Sequence, residues 1–240
     1  VDAIIHVCRC FEDENISHVV GSIDPIRDFE TVELELILSD IEQLERRMEK
    51  LERTSRSHDA ALLSELRFVK SLLSFLEQEQ PAREYILEND EEKEMMKNLF
   101  LLTSKPILVV ANVAEADAAD GNEYFRALSD YFAKDKVEVI CISAQIEAEI
   151  QELQPEEHAA FLKEIGLKES GLDRLIRASY KTLGLISFLT AGATETRAWT
   201  TTAGAKAPQA AGVIHSDFER GFIAAEVVPF DILAELGSLQ

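Results

Sequence analysis

The sequence predicts an α/β fold in which part of a parallel sheet is interrupted by an antiparallel helical arm and followed by a small β-rich module. Three observations lead there. Ile107–Ala111 is a continuous apolar run rich in branched residues, bounded by Pro106 and by Asn112-Val113-Ala114-Glu115. Such a run marks a strand buried on both faces of a sheet. Asn122–Phe132 follows with helical spacing of Tyr124, Phe125, Leu128 and Phe132, and Val137–Ile142 is a second apolar run ending in Ser143-Ala144. Strand, helix and strand in about thirty-five residues form one βαβ unit. Upstream, apolar residues recur in steps of three and four, the seam of paired helices.

Taken in order, Asp2–Cys10 reads as the first strand, with no charged-then-apolar leader before it. From Phe29, Leu34, Ile37, Ile41, Leu44, Met48 and Leu51 form an a/d stripe, and Arg53–His58 interrupts it. Leu62, Leu66, Val69, Leu73 and Leu76 then repeat the stripe up to Pro81. Two seamed helices joined by a short polar link predict an antiparallel coiled-coil arm. Glu84–Leu102 reads as further helix leading back to the sheet. After Ser143, helices are expected over Glu147–Leu153, from Pro155 and over Gly171–Leu183. From Gly184 the texture turns to β: strands are expected at Ile186–Leu189, Arg197–Thr201 and Phe222–Val228, with Gly204–Gly212 as a turn-rich link. His215 and Asp217 read as turn and helix-cap residues.

The chain has 240 residues, enough for a main domain and a smaller one. Asp and Glu number 45 against 24 Lys and Arg, a formal net charge of −21, which repels bulk nucleic acid unless basic groups are concentrated locally. No apolar run approaches the roughly 20 residues of a membrane span. Cys8, Cys10 and Cys141 fall inside predicted strands and read as buried free thiols of a reducing compartment.

In an open parallel sheet, ligands sit outside the carboxyl ends of the strands. Asn112, Val113, Glu115, Ser143 and Ala144 belong to that edge. An Asn side chain offers a donor and an acceptor in one plane, and a carboxylate offers acceptors, so together they can read the polar edge of a purine. Asn-x-x-acid after one strand and Ser-Ala after the next resemble the base-recognition loops of P-loop GTPases, whose usual form is Asn-Lys-x-Asp. Here Val113 supplies no ammonium and Glu115 is one methylene longer than Asp. Asn-Val-x-Glu resembles the YchF/Obg-like ATPase family, whose members favour or tolerate adenine. Arg9-Cys10-Phe11, the acidic turn Glu12–Glu14 and His18-Val19-Val20-Gly21-Ser22-Ile23-Asp24-Pro25 extend the resemblance. The alternative local reading is that Asn112 caps the next loop and Glu115 is solvated.

The resemblance runs from Val1 to about Pro229. It implies a P-loop-type parallel sheet in two parts, residues 1–28 and 103–184, with the coiled-coil arm inserted at 29–102. It further implies a β-grasp TGS domain at 185–240, whose sheet is incomplete at Gln240. The implied protein is a ribosome-associated, cytoplasmic hydrolase of ATP, or of GTP, with Mg2+. The chain contains no G-x-x-x-x-G-K-[ST], so the phosphate loop and metal ligands are expected upstream of Val1, and this chain alone is expected to be inactive. Arg46, Arg47, Lys50, Arg53 and Arg56 cluster toward the arm tip and are candidates for contact with ribosomal RNA. The competing reading pairs them with Glu45, Glu49 and Glu52 along a solvated helix. DNA and membranes are not expected partners. A second functional reading is an RNA- or ribosome-binding adaptor with a degenerate nucleotide fold.

Overall fold

A computed structural model describes every residue except 14, 17–20, 55–58, 136, 193–194 and 238–240. Arg56, Glu14 and the His18-Val19-Val20 part of the loop motif lie outside the described residues. The chain divides into two compact units, Val1–Leu183 and Gly184–Gln240.

The first unit is built on a parallel sheet of order β1-β2-β3, comprising Ile4–Cys10, Ile107–Val113 and Val139–Ile142. The register runs from Ile4 opposite Ile107 to Cys10 opposite Val113, and from Val109 opposite Val139 to Asn112 opposite Ile142. Because strand side chains alternate, Cys8, Cys10, Val109, Ala111 and Val113 share one face and pack with Phe29, Leu128 and Phe132. Leu108, Val110, Ile140 and Ile142 share the other and pack with Ala178. Helix α4, Glu123–Phe132, covers the first face, and α7, Gly171–Thr182, covers the second. All three cysteines are free and buried. Burial, then the neighbouring Asp28, pushes the Cys8 thiol up to about 11. Burial, then the other two thiols, pushes Cys10 up to about 12.

Between β1 and β2 the chain runs out along α1, Pro25–Thr54, and back along α2, Ala60–Leu76. The segment after α2 returns to the first half of α1, where Arg83 pairs with Glu33 at 2.5 Å, so the two helices are antiparallel. Ile37, Leu44 and Leu51 of the expected stripe are buried, whereas Leu34 is exposed. The buried stripe on α2 is wider than a/d spacing gives: Phe68 and Leu72 join Val69, Leu73 and Leu76. The cause is a third layer, because Met96, Leu99 and Leu101 close over both helices.

The further helix expected over Glu84–Leu102 occupies only part of that span. Ala82–Glu84 forms one 3-10 turn, and α3 is confined to Asp90–Leu99. Asn89 accepts from the Glu92 amide at 2.9 Å and so fixes the start of α3. Phe100 ends it in the left-handed region, with φ 55°. Helix α2 stops at Leu76, ahead of Pro81, and Glu79 takes φ 60°.

The return to the sheet is fastened by Asp40, a fully buried carboxylate. Its Oδ1 accepts from the Leu102 amide at 2.8 Å. Its Oδ2 accepts from the Thr103 amide and the Thr103 hydroxyl, both at 2.7 Å. The same hydroxyl oxygen accepts from the Ala82 amide at 3.0 Å. Beyond β3 lie α5, Ala144–Glu152, and α6, Pro155–Glu164.

In the second unit, β4, Leu185–Ala191, and β5, Thr196–Thr202, form an antiparallel pair with Phe188 opposite Trp199. Trp199 donates its indole N–H to the Thr190 hydroxyl at 2.9 Å, and the Arg197 guanidinium sits 4.3 Å from its ring centre. Two expectations fail here. The link over 204–212 is largely helix α8, Ala207–Ile214, with Pro208 in its first turn. Residues 222–228 form no strand; they are mostly exposed and pair with neither β4 nor β5. Helices α9, Ser216–Arg220, and α10, Phe230–Leu236, complete the unit. His215 caps α9, its Nδ1 accepting from the Asp217 amide at 3.2 Å. Among the described residues no helix is long and apolar enough to cross a membrane.

The Asp40 bracket generates a prediction. Asp40→Ala strands three donors, two of them buried, and should cost about 3 kcal/mol of stability. Asp40→Asn keeps one acceptor and should cost less. Urea denaturation midpoints check the order wild type, Asn, Ala.

Candidate functional site

The loops after β2 and β3 meet at the carboxyl edge of the sheet. Asn112 stands opposite Ile142 in the ladder, two residues before Ala144. Its Oδ1 accepts from the Ala144 amide at 3.0 Å. That bond ties the two loops together, and among the described residues the Asn112 Nδ2 has no hydrogen-bond partner. Ser143 is buried beside it, and its Oγ makes no hydrogen bond among the described residues. Glu115 lies exposed on the 3-10 turn Glu115–Asp117. Val113 is not brought to this group. It alternates to the opposite face and is buried beside Cys8 and Cys10, 2% exposed. A mainly apolar cleft of about 520 Å3 adjoins Asn112 and Ala144, lined also by Val7, Val110, Ile142 and Leu175.

Three positioning residues escaped the sequence reading. Asn122 caps α4 by accepting from the Phe125 amide at 3.1 Å. Its Nδ2 donates to the Cys10 carbonyl at 2.7 Å and to Asp117 at 2.9 Å. It thereby locks the Glu115 turn to the end of β1. An Asn before an acidic first turn is a local signal that could have revealed the cap. Glu147 of α5 accepts from the Gly171 and Leu172 amides at 2.6 and 3.1 Å, a carboxylate seated on the amino end of α7. At Gly171 an added Cβ would lie 2.8 Å from Ile142 Cγ2 and 2.9 Å from Glu147 Oε1. Glu147 and Gly171 are far apart in the chain, so no local pattern announces their contact.

The basic residues are arranged differently from the expectation. Helix α1 continues to Thr54, so Arg46 and Arg47 stand roughly 10–12 Å below its end. Arg47 donates from Nε to Glu65 of α2 at 2.7 Å. Arg46 lies 3.7 Å from Glu42, and Arg53 lies 3.2 Å from Glu49, each an exposed i,i+4 pair. Lys50 has no ion pair among the described residues.

Chemically, the edge offers an amide donor at Asn112, an exposed acceptor at Glu115 and the backbone of the loop after β3. Among the described residues no group of three or more His, Cys, Asp or Glu side chains could hold a metal ion. The architecture is that of a P-loop-type parallel sheet with helical insertions.

Comparison with known proteins narrows this class. The family model YchF-GTPase_C, described as "Protein of unknown function (DUF933)", matches residues 185–240. The chain is 49% identical over 241 residues to the ribosome-binding ATPase YchF of Bacillus subtilis, covering 100% of this chain and 66% of that protein. It is 43% identical over 244 residues to the protein of the same name from Mycoplasma pneumoniae, covering 100% of this chain and 67% of that one. The solved structure of the Schizosaccharomyces pombe YchF GTPase superposes with a TM-score of 0.83 at 34% identity, covering 99% of this chain and 65% of the other. The chain belongs to the YchF family.

Gly171→Ala should force α7 away from β3 and α5 and lower the thermal midpoint, at a cost of about 1–3 kcal/mol. It should also loosen the loop at Ser143 and Ala144. Amide exchange at Ala144 should rise in this variant while exchange in α2 stays unchanged.

Proposed function

We propose that this chain serves a ribosome-associated, cytoplasmic purine nucleotide hydrolase that uses ATP, with GTP as the second candidate. The observation that carries the reading is the 49% identity, across the whole chain, to a ribosome-binding ATPase. In this reading Asn112, Glu115, Ser143 and Ala144 bind the base, and Val113 contributes backbone only. The Asn112 Oδ1 is already engaged by Ala144, which leaves Nδ2 for a ring-nitrogen acceptor of the purine. Adenine and guanine both carry such an acceptor, so Asn112 recognises a purine without choosing between them. The choice falls to Glu115 and backbone groups.

Phosphoryl transfer depends on positioning and charge neutralisation by loop amides, a Lys and Mg2+. The residues described here supply none of those parts, so phosphate and metal binding are assigned to sequence beyond this chain. The domain boundaries proposed are 1–28 and 103–184 for the nucleotide domain, 29–102 for a coiled-coil arm and 185–240 for a TGS module of β-grasp type. The arm docks on ribosomal RNA through Arg46, Lys50 and Arg53, with Arg47 chiefly bracing α2. Exposed i,i+4 pairs such as Arg46–Glu42 and Arg53–Glu49 hold their cations weakly, so both remain able to meet phosphates.

Two measurements test the reading. Titration of the full-length protein with labelled ATP and GTP should show ATP binding at least as tightly. Asn112→Ala should weaken both by roughly tenfold, the worth of one buried hydrogen bond, whereas changes at Glu115 should alter their ratio. A strong GTP preference would contradict the base assignment, and absence of binding to either nucleotide would favour the adaptor reading. Co-sedimentation with ribosomes should weaken, and its salt dependence flatten, in the Arg46→Glu, Lys50→Glu, Arg53→Glu variant. Unchanged binding at every salt would move the docking role off the arm.

A further inference from the structure

Phe100 is placed against the preferences of its own chain. It ends α3 with φ 55° and ψ 28°, a conformation that Gly or Asn adopts far more readily. The residue is 70% exposed, so packing does not explain why an aromatic residue stands there. The end of α3 is nevertheless held firmly, because the Gln43 side chain donates to the Leu99 carbonyl. The ring therefore projects from a fixed point.

Phe100 forms part of the wall of a groove of about 550 Å3, together with Gln43, Arg46, Arg47 and Lys50 of α1. The acid on that wall, Glu65, is taken by Arg47. Arg46 has only an exposed partner at 3.7 Å, and Lys50 has no ion pair among the described residues. Arg46 and Lys50 are one helical turn apart, with Cβ atoms about 6 Å from each other. Lys105 adds a further cation 5.8 Å from the Phe100 ring centre. In a chain of net charge −21, an exposed ring set among cations is a local reversal of the surface character.

We propose that this groove binds single-stranded RNA, with an unpaired base stacked on Phe100 and its flanking phosphates held by Arg46 and Lys50. The proposal rests on the arm reading above and adds to it a specific site and a strand state. Stacking on an aromatic ring suits any base and needs one that is free of a duplex. The cations complement phosphates, and the groove lies along the side of α1. An acidic peptide is the competing occupant, since it would meet the same cations but gain nothing particular from an aromatic face.

The test uses the full-length protein and a fluorescein-labelled single-stranded RNA of about twelve nucleotides and mixed sequence. Phe100→Gly should weaken binding by about tenfold, the order expected for one lost stack. The same change relieves the left-handed strain, so the melting temperature should hold or rise, and misfolding cannot account for the loss. Phe100→Tyr should bind as wild type. Lys50→Glu should weaken binding and flatten its salt dependence. Binding of the corresponding duplex should be indifferent to Phe100. Single-strand binding by Phe100→Gly equal to wild type would overturn the proposal, as would an equal loss on the duplex. Displacement by a polyglutamate peptide that is likewise insensitive to Phe100 would assign the groove to acidic peptides. Ribosome co-sedimentation lost on charge reversal but untouched by Phe100→Gly would leave the arm reading standing and remove this one.

Discussion

Ile4 pairs with Ile107 although the whole helical arm lies between them in the chain. The first two strands can meet only if the arm returns the chain to the place where it departed. Closing so long a loop carries an entropic cost that strand pairing alone must offset. Asp40 reduces the problem by collecting the Leu102 and Thr103 amides and the Thr103 hydroxyl on one carboxylate. The outgoing helix thus grips the incoming strand just ahead of β2. Arg83 and Glu33 make a second grip nearby. Everything at the sheet's carboxyl edge, including the Asn112–Ala144 bond, depends on β1, β2 and β3 being in register.

Charge is handled in two ways. Within the first unit, carboxylates are turned onto backbone amides, as Asp40 is toward residues 102–103 and Glu147 is toward α7. Charge-assisted bonds of this kind are short and strong. On the arm, cations and acids alternate as exposed pairs that contribute little to stability. The first kind fixes the scaffold; the second leaves side chains available. This division is why the arm can be assigned a partner without disturbing the site at the sheet edge.

The legible parts of the fold were those written in local periodicity. Ile107–Ala111 is buried along its length, as its unbroken apolar run required, and of the arm stripes Ile37, Leu44, Leu51, Val69, Leu73 and Leu76 are buried. What escaped was decided by contacts between distant residues. Nothing near Asp40 announces that a charged residue on α1 is buried, because its partners arrive sixty residues later. Phe68 and Leu72 lie outside the a/d seam and are buried in a cluster to which the chain between α2 and β2 contributes Ala82, Met96, Leu99 and Leu101. Residues 222–228 have strand composition but pair with neither β4 nor β5, and a strand needs a partner more than it needs propensity. At the site, Asn112 and Ala144 were readable as a pair from the strand-end pattern. Val113 was misplaced by treating a motif as a surface, when alternation along β2 turns it into the core.

The central claim is that the loops following β2 and β3 form the purine-binding edge. Hydrogen–deuterium exchange of the full-length protein, with and without a non-hydrolysable ATP analogue, tests it most directly. The account predicts slowed exchange at residues 112–117 and 143–145 on adding the analogue, with the arm helices unchanged. Binding of the analogue with no protection at either loop would contradict it.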